Sequence, residues 1–182
     1  MRNLDTGSED RSSGTPVAHI EMAPKEITRM RILLATDGSA YSEAAVDELA
    51  SRPMPIDSQV LVISVVEVPS FPWAFPGGGV DFDQQMQQTA RAAVEGAVGR
   101  LKAGPESRKM NITSKVVFGS PKRVILEEAD AYGAELIMIG SHGHGAWDRM
   151  LLGSVSQAVA AHATCSVEIV RNQKIKLDSQ KS

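Results

Sequence analysis

The segment ELIMIGSHGHGAWDRMLLGSVSQAVAAHA, residues 135–163, holds three parts with different sequence patterns. Residues 135–139 form an apolar run of the length of a buried strand, and residues 157–163 have the composition of a helix. Between them, residues 140–156 contain four glycines and three serines. A strand that leads through a glycine-rich turn into a helix is typical of α/β folds, in which such turns lie at the carboxyl ends of the strands.

The same order of strand, turn and helix recurs nearer the N-terminus. The run RILLAT, residues 31–36, ends in Asp37-Gly38-Ser39 and is followed by a helical pattern over residues 40–50. Further strands are predicted for residues 59–68, 111–118 and 166–170. Five nearly continuous apolar strands that alternate with helices predict a mostly parallel sheet with helices on both faces, a three-layer α/β sandwich.

A long helix is predicted to follow the second strand. Asp83 is its expected N-cap, and Gly104-Pro105 is expected to end it. The small and apolar positions between them advance by three or four residues: Met86, Ala90, Ala93, Ala97 and Leu101. The Pro/Gly-rich segment 69–81 is predicted to be a loop, whose aromatic side chains either shield one another or form a lid or dimer contact. The next helix is expected between Ser120-Pro121 and Gly133.

Composition restricts the class of protein. The chain has 182 residues, of which 42% are hydrophobic, and this length predicts one domain. A formal net charge of -3 argues against nucleic acid or an anionic membrane as a partner. The single Cys165 excludes an internal disulfide, and no apolar run approaches the roughly 18 residues of a membrane helix. We therefore expect a cytoplasmic protein.

The domain is expected to occupy residues 29–171. Residues 1–28 are rich in Ser, Thr, Gly and charge without a sustained hydrophobic period, which predicts a flexible leader. Residues 172–182 are expected to form a polar C-terminal tail.

The glycine-rich turn has the features of an anion-binding site. Glycines let the backbone approach a ligand, and the N-terminus of the following helix attracts negative charge. Ser154 and Ser156 add hydroxyl groups in the first turn of that helix, which predicts a phosphate site; a Ser-capped helix after a flexible loop is the alternative. Neither the P-loop pattern nor G-x-G-x-x-G is present.

The spacing Gly140-x2-Gly143-x9-Gly153-Ser154 resembles the Gly-x2-Gly-x9-Gly-Ser/Thr signature of the universal stress protein family, in its nucleotide-binding branch. The flanking sequences, including RILLATDGSAYSEAA and GSPKRVILEEADAYGAELIMIG, are also similar, and the resemblance runs from about residue 31 to residue 171. It implies a Rossmann-like or flavodoxin-like domain that binds ATP, often with a divalent ion such as Mg2+, and forms a homodimer.

Matched positions of the signature imply the roles of individual residues. The phosphates and ribose would be enclosed by Gly140, Gly143, Gly153, Ser154, Val155 and Ser156. The base and sugar would be bordered by Ala35, Thr36 and Val65. Asp37 would lie near the phosphates and hold Mg2+, since a hard cation prefers carboxylate and phosphate oxygens; a turn-forming Asp before Gly is the alternative. His142 matches a form of the motif found in members that bind ATP.

Two places depart from the family pattern. Asp148 replaces a commonly basic residue beside Arg149, and an acid there would repel a triphosphate. His142, His144 and Asp148 could also form a proton-transfer or metal cluster, although a mobile surface loop is the simpler interpretation.

In the last strand, Glu168 stands where the family tends to have an apolar residue. This charge either weakens or re-registers dimer pairing around Val167–Val170, or only faces solvent. Cys165 is expected to serve as a small buried hydrophobic residue.

Three functions are compatible with these sequence features. The first is an ATP-dependent regulatory module of the stress response, read by a protein partner that the sequence does not identify. The second is a slow ATPase or phosphotransferase, for which the sequence offers no convincing base, so no catalytic residue is assigned. The third is a dimeric interaction protein that binds AMP or a cyclic nucleotide.

Overall fold

The computed structural model describes residues 29–67, 79–143 and 152–172. The strands are β1 Arg31–Ala35, β2 Ser58–Val66, β3 Met110–Phe118, β4 Leu136–Gly140 and β5 Ser166–Val170. The helices are α1 Ala40–Ser51, α2 Gly79–Ala103, α3 Pro121–Tyr132 and α4 Ser154–His162, with a short 3-10 turn at Ser107–Lys109.

The five strands form one parallel sheet in the order β3-β2-β1-β4-β5. Central strand β1 is paired on both sides, with Leu33 opposite Leu61 of β2 and Ile137 of β4. The predicted α/β sandwich is confirmed, and every strand pair of the sheet is parallel.

Alternating side chains of the strands build a core on each face of the sheet. Ile32 and Leu34 of β1 face the side covered by α1 and α2, whereas Leu33 between them faces the side covered by α3 and α4. All three are fully buried. Since burial of a large aliphatic side chain stabilises the fold by about 1.5–3 kcal/mol, both faces must be covered for the sheet to be stable.

Helix α2 begins earlier than the sequence predicts. It starts at Gly79, four residues before the expected cap Asp83, so residues 79–81 are helical and not part of the predicted loop. Glycine costs only about 1 kcal/mol relative to alanine inside a helix, and a glycine-rich start therefore does not stop one. Residues 69–78 of the predicted loop lie outside the described residues.

The predicted ends of two helices are confirmed. α2 ends at Ala103, directly before Gly104, where a Cβ would lie 2.6 Å from the Ala50 carbonyl oxygen. α3 ends at Tyr132 and is capped by Gly133, whose φ of 64° is the left-handed conformation that glycine adopts without strain. Within the described ranges, no helix combines the length and hydropathy needed to cross a membrane.

Candidate functional site

The turns after β1 and β4 meet at the centre of the sheet. Ala35, the last residue of β1, pairs with Ile139 of β4, so the two turns leave adjacent strands. From this point the chain continues through α1 to β2 on one side and through α4 to β5 on the other. Such a reversal of strand order leaves a crevice at the carboxyl ends of the strands, where doubly wound folds bind ligands.

The turn after β1 is held by its own side chains. The Asp37 carboxylate Oδ1 accepts a hydrogen bond from the Ser39 backbone N at 3.0 Å, and Gly38 adopts a φ of 78°. Ser39 is the N-cap of α1, because its Oγ accepts from the Ser42 backbone N at 3.3 Å. The Asp-Gly-Ser sequence thus forms both the turn and the start of the helix.

The Asp37 carboxylate lies directly against the second turn. A Cβ placed on Gly143 would be 2.6 Å from Asp37 Oδ2, a distance that real Cβ atoms do not tolerate. Two residues that the sequence separates by more than a hundred positions are therefore neighbours. The structure brings together the predicted metal ligand and a glycine of the predicted phosphate turn.

Gly140, the last residue of β4, has a packing role of its own. A Cβ at this position would lie 2.6 Å from the carbonyl carbon and oxygen of Tyr41 and 2.7 Å from the Ser42 backbone N. The first turn of α1 consequently rests on the backbone of β4. This close packing requires a glycine at position 140, whether or not the residue also contacts a ligand.

The start of α4 is fixed to the end of β4 by hydrogen bonds. Gly153, its N-cap, donates from its backbone N to the Ser141 carbonyl at 2.8 Å. Ser156 Oγ donates to the carbonyls of Ser141 and Gly153, both at 2.9 Å, and the residue is 2% exposed. Ser154, in contrast, is exposed at the first position of the helix. Of the two hydroxyls predicted to meet phosphate, that of Ser156 therefore points into the protein.

His142 packs against a residue that sequence analysis did not select. Its ring centroid is 5.1 Å from that of Tyr41, with the planes inclined at 51°, and its Nδ1 lies 3.1 Å from Ser141 Oγ. Tyr41 follows the Asp-Gly-Ser turn by two residues, but nothing in the sequence indicates that it meets a residue a hundred positions later.

The residues predicted to border the base lie at the ends of β1 and β2. Ala35 and Thr36 are each 6% exposed, and the Thr36 backbone N donates to the Ile63 carbonyl of β2 at 2.9 Å. Val65 is partly buried against the core cluster beneath α3 and α4. Val155 of α4, which is predicted to lie near the phosphates and ribose, is partly buried against the same cluster. These positions are compatible with an apolar wall beside the Asp37 turn.

The described residues contain no group of three or more His, Cys, Asp or Glu side chains that could hold a metal ion. Among the described residues, the predicted metal ligand is Asp37, which supplies one carboxylate. A hard cation such as Mg2+ is commonly bound through one or two carboxylates and phosphate oxygens. Three residues of the predicted loop lie outside the described residues: His144, Asp148 and Arg149. The alternative His–Asp cluster and the expected repulsion of a triphosphate by Asp148 therefore stay predictions.

Glu168 of β5 is paired within the chain. Its carboxylate oxygens accept two hydrogen bonds from the Arg52 guanidinium, at 2.5 and 2.6 Å, and Arg52 also contacts Glu48 at 3.1 Å. The hydrogen bond to Glu168 raises the pKa of Arg52, and burial only partly opposes it. Glu168 therefore neither faces solvent alone nor places an uncompensated charge on the edge strand.

Cys165, directly before β5, is half-buried beside the α3 and α4 core cluster. Burial raises the pKa of its thiol, and the nearby Asp130 carboxylate acts in the same direction. This environment agrees with the prediction of a small hydrophobic residue more than with a reactive thiolate.

A doubly wound parallel sheet with two polar turns at its switch point defines the class of Rossmann-like α/β domains. A model of the universal stress protein family matches residues 28–171. The chain belongs to this family, as its glycine signature predicts.

Individual relatives agree with this assignment. A curated universal stress protein relative from Staphylococcus epidermidis is 30% identical over 156 residues, covering 85% of this chain and 91% of the relative. A solved universal stress protein in complex with cAMP is 26% identical with a TM-score of 0.51, covering 78% and 96% of the two chains. A family protein from Arabidopsis thaliana with AMP bound has a TM-score of 0.59 at 18% identity, covering 81% and 94%, and at this identity supports the fold alone.

Proposed function

We propose that this protein binds ATP or a related adenine nucleotide, with Mg2+, at the turns that follow β1 and β4. The observation that carries the proposal is the close approach of the Asp37 carboxylate to Gly143, where an added Cβ would lie 2.6 Å from Oδ2. A phosphate chain held by the glycine turn would lie beside that carboxylate, and Mg2+ would be held between them. The cAMP complex of a relative at 26% identity supports an adenine nucleotide as the class of ligand.

The helix N-terminus and its hydroxyl complete the proposed phosphate site. Ser154 is exposed at the start of α4, where backbone N–H groups without helical partners and the helix dipole favour negative charge. Micromolar binding corresponds to a binding free energy of roughly 8 kcal/mol. Each phosphate contact contributes about 1.5 kcal/mol, and burial of the adenine must supply the rest. We therefore expect a micromolar dissociation constant.

Calorimetric titration with ATP, ADP, AMP and cAMP, each with and without Mg2+, tests the proposal. Gly143→Ala should weaken binding at least tenfold, because the added methyl displaces the Asp37 carboxylate. Gly99→Ala is the matched control, since the same methyl group there meets nothing within 4 Å. Equal affinities of the Gly143 and Gly99 variants would contradict the proposed site.

We propose a regulatory role, in which a cytoplasmic protein of the stress response reports nucleotide occupancy to a protein partner. The same titrated samples can be assayed for phosphate release. Sustained release that disappears in Asp37→Ala would make the protein a slow ATPase instead.

A homodimer through Val167–Val170 belongs to the same proposal. β5 lies at the edge of the sheet and pairs with β4 alone in the described sheet, leaving its second side for another copy. The Arg52 pair neutralises Glu168 within the chain, so its charge does not oppose pairing. Light scattering should give twice the 19.5 kDa chain mass; a monomer at high micromolar concentration would refute the dimer.

A further inference from the structure

Three buried hydroxyl groups lie beneath the Asp37 turn. Thr36, Ser39 and Ser42 are 6%, 5% and 3% exposed, and their oxygens lie close to one another. A buried hydroxyl group without a partner is costly, so each must find its partners among these three hydroxyl groups and the neighbouring backbone. Because each hydroxyl group has one proton to donate, the directions of these hydrogen bonds can be assigned.

Ser42 Oγ is the centre of the group. It donates its one proton to the Ser39 carbonyl at 3.0 Å. It can then only accept from Thr36 Oγ1, at 3.1 Å, and it also accepts from the Asp37 backbone N at 3.4 Å. Thr36 Oγ1 in turn accepts from the Gly38 backbone N at 3.2 Å. One hydroxyl of α1 therefore connects the end of β1, the Asp37 backbone and the helix cap.

This arrangement contributes to the direction of the Asp37 carboxylate. Its backbone N is held by Ser42, and its Oδ1 accepts from the Ser39 backbone N at 3.0 Å. With both of these points fixed, Oδ2 is the oxygen directed at Gly143. Loss of the Ser42 hydroxyl would remove one acceptor near the Asp37 N–H, at 3.4 Å, and the acceptor of the Thr36 proton together.

We infer that Ser42 is a positioning residue for the nucleotide site, which acts through Asp37 and does not touch the ligand. Its 3% exposure excludes a direct contact in this conformation. The inference rests on the proposed function, since it concerns how the carboxylate is presented to a nucleotide with its cation. A residue that acts only through Asp37 must affect the part of the affinity that depends on Mg2+.

The test measures ADP affinity with and without Mg2+ in the wild type and in Ser42→Ala. We expect Ser42→Ala to weaken binding with Mg2+ five- to tenfold and to change binding without Mg2+ less than twofold. Ser51→Ala is the matched control, because Ser51 lies on the same helix and its hydroxyl also donates to backbone carbonyls, those of Asp47 and Glu48. This control should bind as the wild type does.

A double-mutant cycle separates positioning from general damage. In an Asp37→Ala background, Ser42→Ala should change the affinity no further, because the group through which it acts is gone. An equal loss with and without Mg2+, or a further loss in the Asp37→Ala background, would overturn the inference. If Ser42→Ala does not fold, the same measurements are made on Ser42→Cys. This variant should show a smaller loss of affinity that again depends on Mg2+. An unchanged affinity would refute the inference.

The wild-type measurements distinguish this inference from the proposed function. A wild type that binds no nucleotide refutes the proposed function, and the inference with it. A wild type that binds equally with and without Mg2+ leaves the nucleotide site in place and overturns the role of Ser42.

Discussion

At the scale of single residues, Gly140 illustrates a glycine required by packing. Gly140→Ala should lower the free energy of unfolding by about 1–3 kcal/mol, because its Cβ would lie 2.6 Å from the Tyr41 backbone and helix α1 would have to shift. Urea unfolding of both proteins measures the difference. The Gly99→Ala control should lose no stability, and a similar loss in both variants would contradict this explanation.

Cys165 should react slowly with iodoacetamide. The thiolate is the reactive form, and burial with the nearby Asp130 raises the pKa of this thiol. At pH 8, alkylation of the native protein should be slower than that of the urea-unfolded protein, and the rate should still rise with pH beyond pH 9. Equal rates in the two states would show that the thiol is not protected.

The residues of the site were predictable only where the turns carry a recognisable pattern. Asp37, Gly143 and Gly153 follow from the spacing of glycines and the Asp-Gly-Ser turn. Tyr41 and Ser42 do not, because their importance arises from contacts of α1 with the end of β4 and with its own buried cap. The inward direction of the Ser156 hydroxyl is also not predictable, because it depends on two carbonyls, one of them fifteen residues away.

At the scale of the elements, helix α2 contains a glycine that packing does not require. Gly96 borders a cavity of about 50 Å³ between α1 and α2, and a Cβ there would meet nothing within 4 Å. Gly96→Ala should therefore raise the free energy of unfolding by about 0.5–1 kcal/mol, since alanine is the better helix former. Chemical denaturation measures this gain, and a loss of stability would mean that the glycine has another role.

The Arg52–Glu168 pair joins the end of α1 to strand β5. Both side chains are about one third exposed, at 31% and 32%. Screening by solvent should therefore limit their coupling energy to about 1 kcal/mol or less, despite the bidentate geometry. A double-mutant cycle with Arg52→Ala and Glu168→Ala measures the coupling energy at low and high salt. A coupling energy that does not change with salt would contradict the expected screening by solvent.

The existence of the elements was predictable, whereas some of their limits and partners were not. Five apolar runs separated by helical patterns predict the sheet, because burial on both faces demands continuous apolar strands. The start of α2 at Gly79 is not predictable in this way, since glycine is a weak helix former and is typical of loops. The pairing of Glu168 with Arg52 joins residues 116 positions apart, and charge alone does not reveal such a partner.

At the scale of the whole molecule, ligand binding should stabilise the domain. At a ligand concentration 100 times the dissociation constant, the gain is about 2.7 kcal/mol if the unfolded chain does not bind. For a domain of this size this corresponds to a rise in Tm of about 5–10 °C. Thermal unfolding with MgATP at this concentration should show the full rise in the wild type and about half of it or less in Gly143→Ala, whose affinity is expected to be at least tenfold lower. A rise in neither protein would argue against the site.

The order of the strands has a consequence for synthesis on the ribosome. β1 is made early, yet one of its two sides pairs with β4, so the Arg31 carbonyl must wait for the Glu135 backbone N, its partner at 2.8 Å. At about 5–20 residues per second, roughly 5–20 s separate the two. During that interval the side of β1 that will pair with β4 presents backbone N–H and C=O groups that still lack their partners in the sheet. The Asp37 turn acquires its neighbour Gly143 only after that side has paired.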